Sequence, residues 1–226
     1  VILNGLDPVK FWDPTVQNEL GNLTNEVLGG ATTLKLAKTV PGYEFVPYAV
    51  RAALTANQSV KVVDPHGRQS PVWGESGITP EWAKQKGISQ DEETKNRGLW
   101  IASLNAKDLP ADIGPIANFS PLDAGKPPQG YNFFEGVYFV LWIDGVPTHY
   151  VASSQDYNDQ CGAVQRLVAG RCGAANASAC KLYGVPQLAE KICTFDKGGY
   201  QPVSCTFNGH VAAYPVAIYA NTKTCD

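Results

Sequence analysis

Residues 137–152 leave the backbone little choice: Val-Tyr-Phe-Val-Leu-Trp-Ile, then Asp-Gly, then Val-Pro-Thr-His-Tyr-Val-Ala. Asp144-Gly145 suits the two positive φ angles of a two-residue type I′ turn, whose twist matches that of paired strands, so the segment reads as a β-hairpin. The turn sets the register. Counting outward from it puts His149 opposite Val140, on a sheet face shared with Tyr138, Trp142 and Val151. The first strand is apolar on both faces. A strand without alternation is expected in the middle of a fold, covered on both sides.

Around this hairpin the pattern alternates between helical and extended signals. Asp13 caps, Pro14 fits the first helical position and Gly29-Gly30 stops a helix that places Val16, Leu20, Leu23 and Val27 on one face. Residues 32–40, 43–54 and 59–64 read as strands, rich in β-branched and aromatic side chains and punctuated by Pro41-Gly42 and by Asp64-Pro65-His66-Gly67. Two short helices follow between 79 and 96, the second opened by a Ser89/Glu92 capping box. Residues 98–106 resume strand character, and 109–131 form a long connection rich in Pro and Gly. Beyond the hairpin, 158–169 and 186–193 read as helices, and 200–207 and 210–220 as strands around Asn208-Gly209. The expected fold is α+β: a single domain over 1–226 with a central, largely antiparallel sheet flanked by short helices. Its last third is stapled by disulfides, and residues 154–226 could form a subdomain.

The cysteines place the chain in an oxidising compartment. Cys161, Cys172, Cys180, Cys193, Cys205 and Cys225 all lie in the last third, with no C-x-x-C pair and no histidine at zinc-site spacing. An even set of this kind reads as three disulfides, for which fifteen pairings exist. Four N-glycosylation acceptor triplets, at Asn22, Asn57, Asn118 and Asn176, point the same way. The chain begins at Val1 and contains no Met, as a product processed after synthesis would. The expected location is therefore extracellular, by way of a eukaryotic secretory pathway. A net charge of -3, with Lys and Arg scattered, offers no basic stripe for a phosphate backbone, so nucleic acid is not an expected partner. No apolar run is long enough to span a membrane.

Chemistry is harder to find. The chain has no G-x-G-x-x-G, P-loop, H-E-x-x-H or G-x-S-x-G, and no cofactor is implied. Val72-Trp73-Gly74-Glu75-Ser76-Gly77 approaches a nucleophile elbow, but its second glycine comes one residue early. Among the three histidines, His149 stands beside two aromatic rings and reads either as a pocket base or as a core imidazole with one hydrogen bond. His66 and His210 fall at turns and are expected at the surface. Glu135, between Phe134 and Gly136, is the candidate for a carboxyl kept protonated by apolar neighbours, with Glu75 or Asp144 as its partner. Asp156 to Asp159 offers clustered oxygens but lacks the glycine and distal glutamate of a calcium loop, so a helix cap is expected there. Candidate ligand-binding aromatics are Tyr138 and Trp142 on the hairpin, and Trp12, Trp73 and Trp82 in less regular segments where exposure is expected. Two functions follow. One is a secreted binding glycoprotein that recognises carbohydrate or another surface ligand through a pocket or aromatic patch near the central hairpin. The other is a secreted hydrolase or lyase acting on extracellular polysaccharide through Glu135 and His149.

Overall fold

A computed structural model describes residues 5–104, 117–119, 127, 133–161 and 180–220. The chain packs as two compact units. One is Leu6–Asn96; the other comprises the described residues from Arg97 onward, joined by Gly5, whose N–H donates to the Ser103 carbonyl at 3.0 Å. The architecture is α+β, with helices and mainly antiparallel sheets.

In the first unit four helices surround a hydrophobic core and a two-stranded ribbon packs beside them. Helix α1 is Pro8–Phe11 and α2 is Pro14–Asn25, capped by Asp7 and Asp13, whose carboxylates accept from the backbone N–H of Val9 and Thr15 at 2.8 Å each. Helix α3 is Ala31–Ala37 and α4 is Val40–Ala53. These two helices replace the strands expected over 32–40 and 43–54. The buried residues decide it: Thr33, Leu36 and Ala37 in α3, and Phe45, Val46, Ala49, Val50 and Ala53 in α4, recur with helical spacing. Burial of those faces outweighs the extended preference of the β-branched residues.

Pro41-Gly42 is not a turn here. Thr39 caps α4 by accepting from the Gly42 N–H at 3.1 Å, and Pro41 sits in the first helical turn, where a missing N–H costs nothing. A Cβ on Gly42 would lie 2.3 Å from the Leu36 carbonyl oxygen, so glycine there serves the close approach of α3 to α4. Strands β1, Ser59–Val63, and β2, Gln69–Trp73, form the ribbon as antiparallel neighbours. A 3-10 turn at Pro80–Ala83 follows, and Ser89 and Glu92 make the expected capping box at the start of helix α5, Gln90–Ala102. Helix α5 absorbs residues 98–102, which read as extended. Leu99, Trp100, Ile101 and Ala102 are all buried, and a helix buried all round shows no periodicity that separates it from a buried strand.

The second unit is built on a five-stranded sheet in the order β3-β10-β4-β5-β6. These strands are Ala117–Phe119 (β3), Phe133–Ile143 (β4), Val146–Ser153 (β5), Tyr183–Gly184 (β6) and Val216–Ala220 (β10). All pairings are antiparallel except β5 with β6. The β4–β5 hairpin turns at Asp144 and Gly145, both at positive φ, in the expected register with Val140 opposite His149. β4 is the middle strand. Cys193–Phe195 (β7), Pro202–Phe207 (β8) and His210–Ala213 (β9) form a second, three-stranded sheet. The stretch 210–220 is thus two strands, broken at Tyr214, which takes a positive φ just before Pro215. Helix α6, Gln155–Cys161, is capped by Ser154, whose hydroxyl accepts from the Tyr157 N–H at 2.9 Å; α7 is the short helix Ala189–Ile192.

Val137, Phe139, Leu141 and Ala152 on one face of the five-stranded sheet share a core with Val185, Ala189, Cys193, Cys205 and Ala212. The disulfide Cys193–Cys205 cross-links β7 to β8 inside that core, and Cys180 is also disulfide-bonded. The cysteine-bearing segment after residue 154 therefore shares its core with β4 and β5. The pairings of Cys161, Cys172 and Cys225, most of the connection 109–131, the rest of the helix expected over 158–169, and the Asn176 triplet lie outside the described residues.

Candidate functional site

The opposite face of the hairpin gathers polar side chains in its interior. Tyr138, Val140 and Trp142 of β4 pair with Val151, His149 and Pro147 of β5, so His149 lies between the Tyr138 and Trp142 positions on one surface. Residues 97–102 of α5 belong to this unit and run close to β10, since a Cβ on Gly98 would meet a Val216 methyl at 3.0 Å. That approach places the buried Arg97 guanidinium 6.0 Å from the centre of the Trp142 ring, a cation–π arrangement. His149 is only 5 % exposed. Burial withholds solvent from the imidazolium and the Arg97 charge repels it, and together they push its pKa down to about 3. The imidazole is neutral at physiological pH. Arg97 was not singled out from the sequence; its only signal was a cation immediately before the apolar run 98–102.

Glu135 is fully buried at the other end of β4. It sits where the β4–β10 register shifts: Phe134 pairs with Tyr219 and Gly136 with Ile218, leaving Glu135 as the extra residue of a bulge. Its carbonyl accepts from the Ser154 N–H at 2.9 Å, while Gly136 pairs with Ser153 on β5. Val140, the partner of His149, is five residues from Glu135 along β4, so strand geometry separates Glu135 from His149 by about 17 Å of backbone. Asp144, exposed at the hairpin tip, lies about 30 Å along the strand from Glu135, well beyond the spacing of a paired carboxylate site. Glu75 belongs to the other unit, where its carboxylate faces Arg51 Nε at 3.5 Å. The acid–base candidates are therefore not drawn to one point. Among the described residues no cluster of three metal-ligating side chains forms, and His66 and His210 are exposed.

The aromatic candidates divide sharply. Trp82, expected at the surface, is fully buried and donates from Nε1 to the Glu26 carbonyl at 2.8 Å, because the 3-10 turn tucks it under the end of α2. Trp12 is half-buried with its ring edge-on to Phe11 at 4.7 Å. Tyr138 is fully buried and Trp142 half-buried. Trp73 alone of the five tryptophans is more than half exposed, at 54 %.

Trp73 owes this to the ribbon. Val60 and Val62 of β1 turn inward, which leaves Ser59, Lys61 and Val63 on the outer face opposite Trp73, Pro71 and Gln69. The far end is closed by Asp64, whose carboxylate accepts from the N–H of His66 at 2.9 Å, from the N–H of Arg68 at 2.8 Å and from Arg68 Nε at 2.7 Å. The near end is fixed by Gly74. A Cβ there would fall 2.3 Å from the Leu54 carbonyl, so only glycine lets the strand settle against the end of α4, and its N–H donates to the Gln58 carbonyl at 2.9 Å. Beyond it the N–H groups of Glu75 and Ser76 both donate to the Arg51 carbonyl, so this segment is strapped to α4 and is not a strand-to-helix elbow. The ribbon presents an open indole bordered by its cross-strand partner Ser59 and by Lys61 and Pro71.

No family model, curated protein or solved structure matches the chain. Among the described residues no helix is long and apolar enough to cross a membrane.

Proposed function

We propose that this chain is a secreted, disulfide-bonded glycoprotein that binds extracellular carbohydrate through the outer face of the β1–β2 ribbon. The observation that carries the reading is Trp73, exposed on a strand held rigid at both ends. A flat indole with hydrogen-bonding neighbours can stack on the C–H face of a sugar while Ser59 and Lys61 engage its hydroxyls. The Cys193–Cys205 bridge within the core and the acceptor triplets support an oxidising, extracellular setting. The enzyme reading needs Glu135 and His149 at one substrate; both are buried, and the strand places them far apart.

The test is a panel of extracellular polysaccharides presented to the purified, deglycosylated protein, recording retention and release of soluble products. Retention without release, lost about tenfold in Trp73→Ala, is expected, since base- or sugar-sized stacking on an aromatic ring is worth ~1–3 kcal/mol. Retention unchanged in Trp73→Ala would refute the ribbon as the binding face. Release of products abolished by Glu135→Gln would replace this reading with the hydrolase or lyase.

A further inference from the structure

We propose that Asn57 carries an N-linked glycan whose first sugars lie on Trp73, so that the binding face of the ribbon is covered by the chain's own carbohydrate. The inference rests on the reading of a secreted, sugar-binding glycoprotein and adds to it a regulation of the same site. Its basis is the register. The acceptor triplet is Asn57-Gln58-Ser59, and Ser59 is the direct cross-strand partner of Trp73. Asn57 stands two residues further out, within about 7 Å of backbone, in an exposed turn closed by the Gln58 N–H to the Thr55 carbonyl at 2.9 Å. The Thr55 hydroxyl is shared as donor between the side-chain oxygens Asn57 Oδ1 and Gln58 Oε1, and the Gly74 N–H, donating to the Gln58 carbonyl, ties Gln58 to the base of β2. Acceptor and indole are thus held on the same end of one ribbon.

The Asn22 triplet differs. Asn22 is exposed on α2, but Thr24 of its triplet is buried in the helix, with its hydroxyl donating to the Gly21 carbonyl at 3.2 Å. The modification at Asn57 joins its Nδ2 to the anomeric carbon of a lipid-diphosphate-linked oligosaccharide. The carbon–oxygen bond to the diphosphate breaks, Nδ2 loses one proton, and the lipid diphosphate leaves with the bonding electrons. Once attached, the sugar competes for the indole at an effective concentration on the order of millimolar or higher, ahead of any free polymer. Its C–H face meets the electron-rich ring as an external sugar would.

The experiment expresses the chain in a eukaryotic secretory host and compares the wild type with Ser59→Ala and Asn57→Gln, two ways of removing the acceptor. Glycopeptide mass spectrometry reads occupancy, and acrylamide quenching, referenced to Trp73→Phe in each background, isolates Trp73. Expected are an occupied Asn57 and Trp73 quenching about twofold lower in the wild type than in both acceptor variants, as when tethered sugar covers the ring about half the time. Polysaccharide retention should rise in both variants. An unoccupied Asn57 overturns the proposal at its first step, and an occupied Asn57 with unchanged quenching overturns the stacking. A quenching difference without any retention by the acceptor variants leaves the intramolecular contact standing and refutes only the external-ligand reading.

Discussion

Lowering the pH from 6.5 to 5 should destabilise this protein through His149. Its folded pKa is about 3, against 6.5 for an unperturbed imidazole. Between those values the unfolded chain binds a proton that the folded chain refuses, so stability falls as the pH drops, and the loss begins near 6.5. Each pH unit in that window costs about 1.4 kcal/mol, which amounts to roughly 2 kcal/mol at pH 5. Below about pH 3 the folded form also protonates and the loss stops growing. Depressed carboxylates such as Asp13 and Glu19, held down chiefly by hydrogen bonds from Thr15 and Lys35, act in the same direction but mainly at lower pH. The assay is urea denaturation at pH 7, 6.5, 6 and 5 for the wild type and for His149→Gln, which keeps a neutral polar side chain in the site. The wild type should lose about 2 kcal/mol more than the variant between pH 7 and 5. Equal pH slopes would refute both the burial argument and the repulsion assigned to Arg97.

Two further outcomes test the packing. Replacing Cys193 and Cys205 together by alanine removes a cross-link with a sequence separation of 12 and should lower stability by about 3 kcal/mol, read as a reduced urea midpoint. An unchanged midpoint would mean that the core around β7 and β8 holds without it. Trp82→Ala should cost about 3–5 kcal/mol in the same measurement, because it empties a fully buried site and removes the bond to the Glu26 carbonyl. A loss below about 1 kcal/mol would show that the space left under α2 collapses.

The parts of the fold legible beforehand are those set by neighbours in sequence. Asp13 and Pro14 start α2, Ser89 and Glu92 start α5, and Asp144-Gly145 closes the hairpin, each through bonds or φ preferences spanning two to four residues. Residues 31–53 read wrongly because composition and period disagree there. Thr32, Thr33, Val46 and Val50 favour extension in isolation, yet the packing of α3 against α4 buries a helical stripe that an extended chain could not bury. Residues 98–102 failed for the opposite reason: a segment buried all round carries no period to read.

The candidate site divides in the same way. The residue types were visible from the start: a histidine among aromatic rings, a glutamate beside a glycine, and five tryptophans. So was the neighbourhood of His149, because a two-residue turn fixes every pairing along the two strands. Tertiary structure alone decided that Arg97 reaches Trp142 and helps keep His149 neutral, since that contact joins a helix to a hairpin distant in the chain. It also decided that Trp82 is covered while Trp73 is open. Exposure is a property of what packs over a residue, and no local interaction within the chain encodes the identity of that cover.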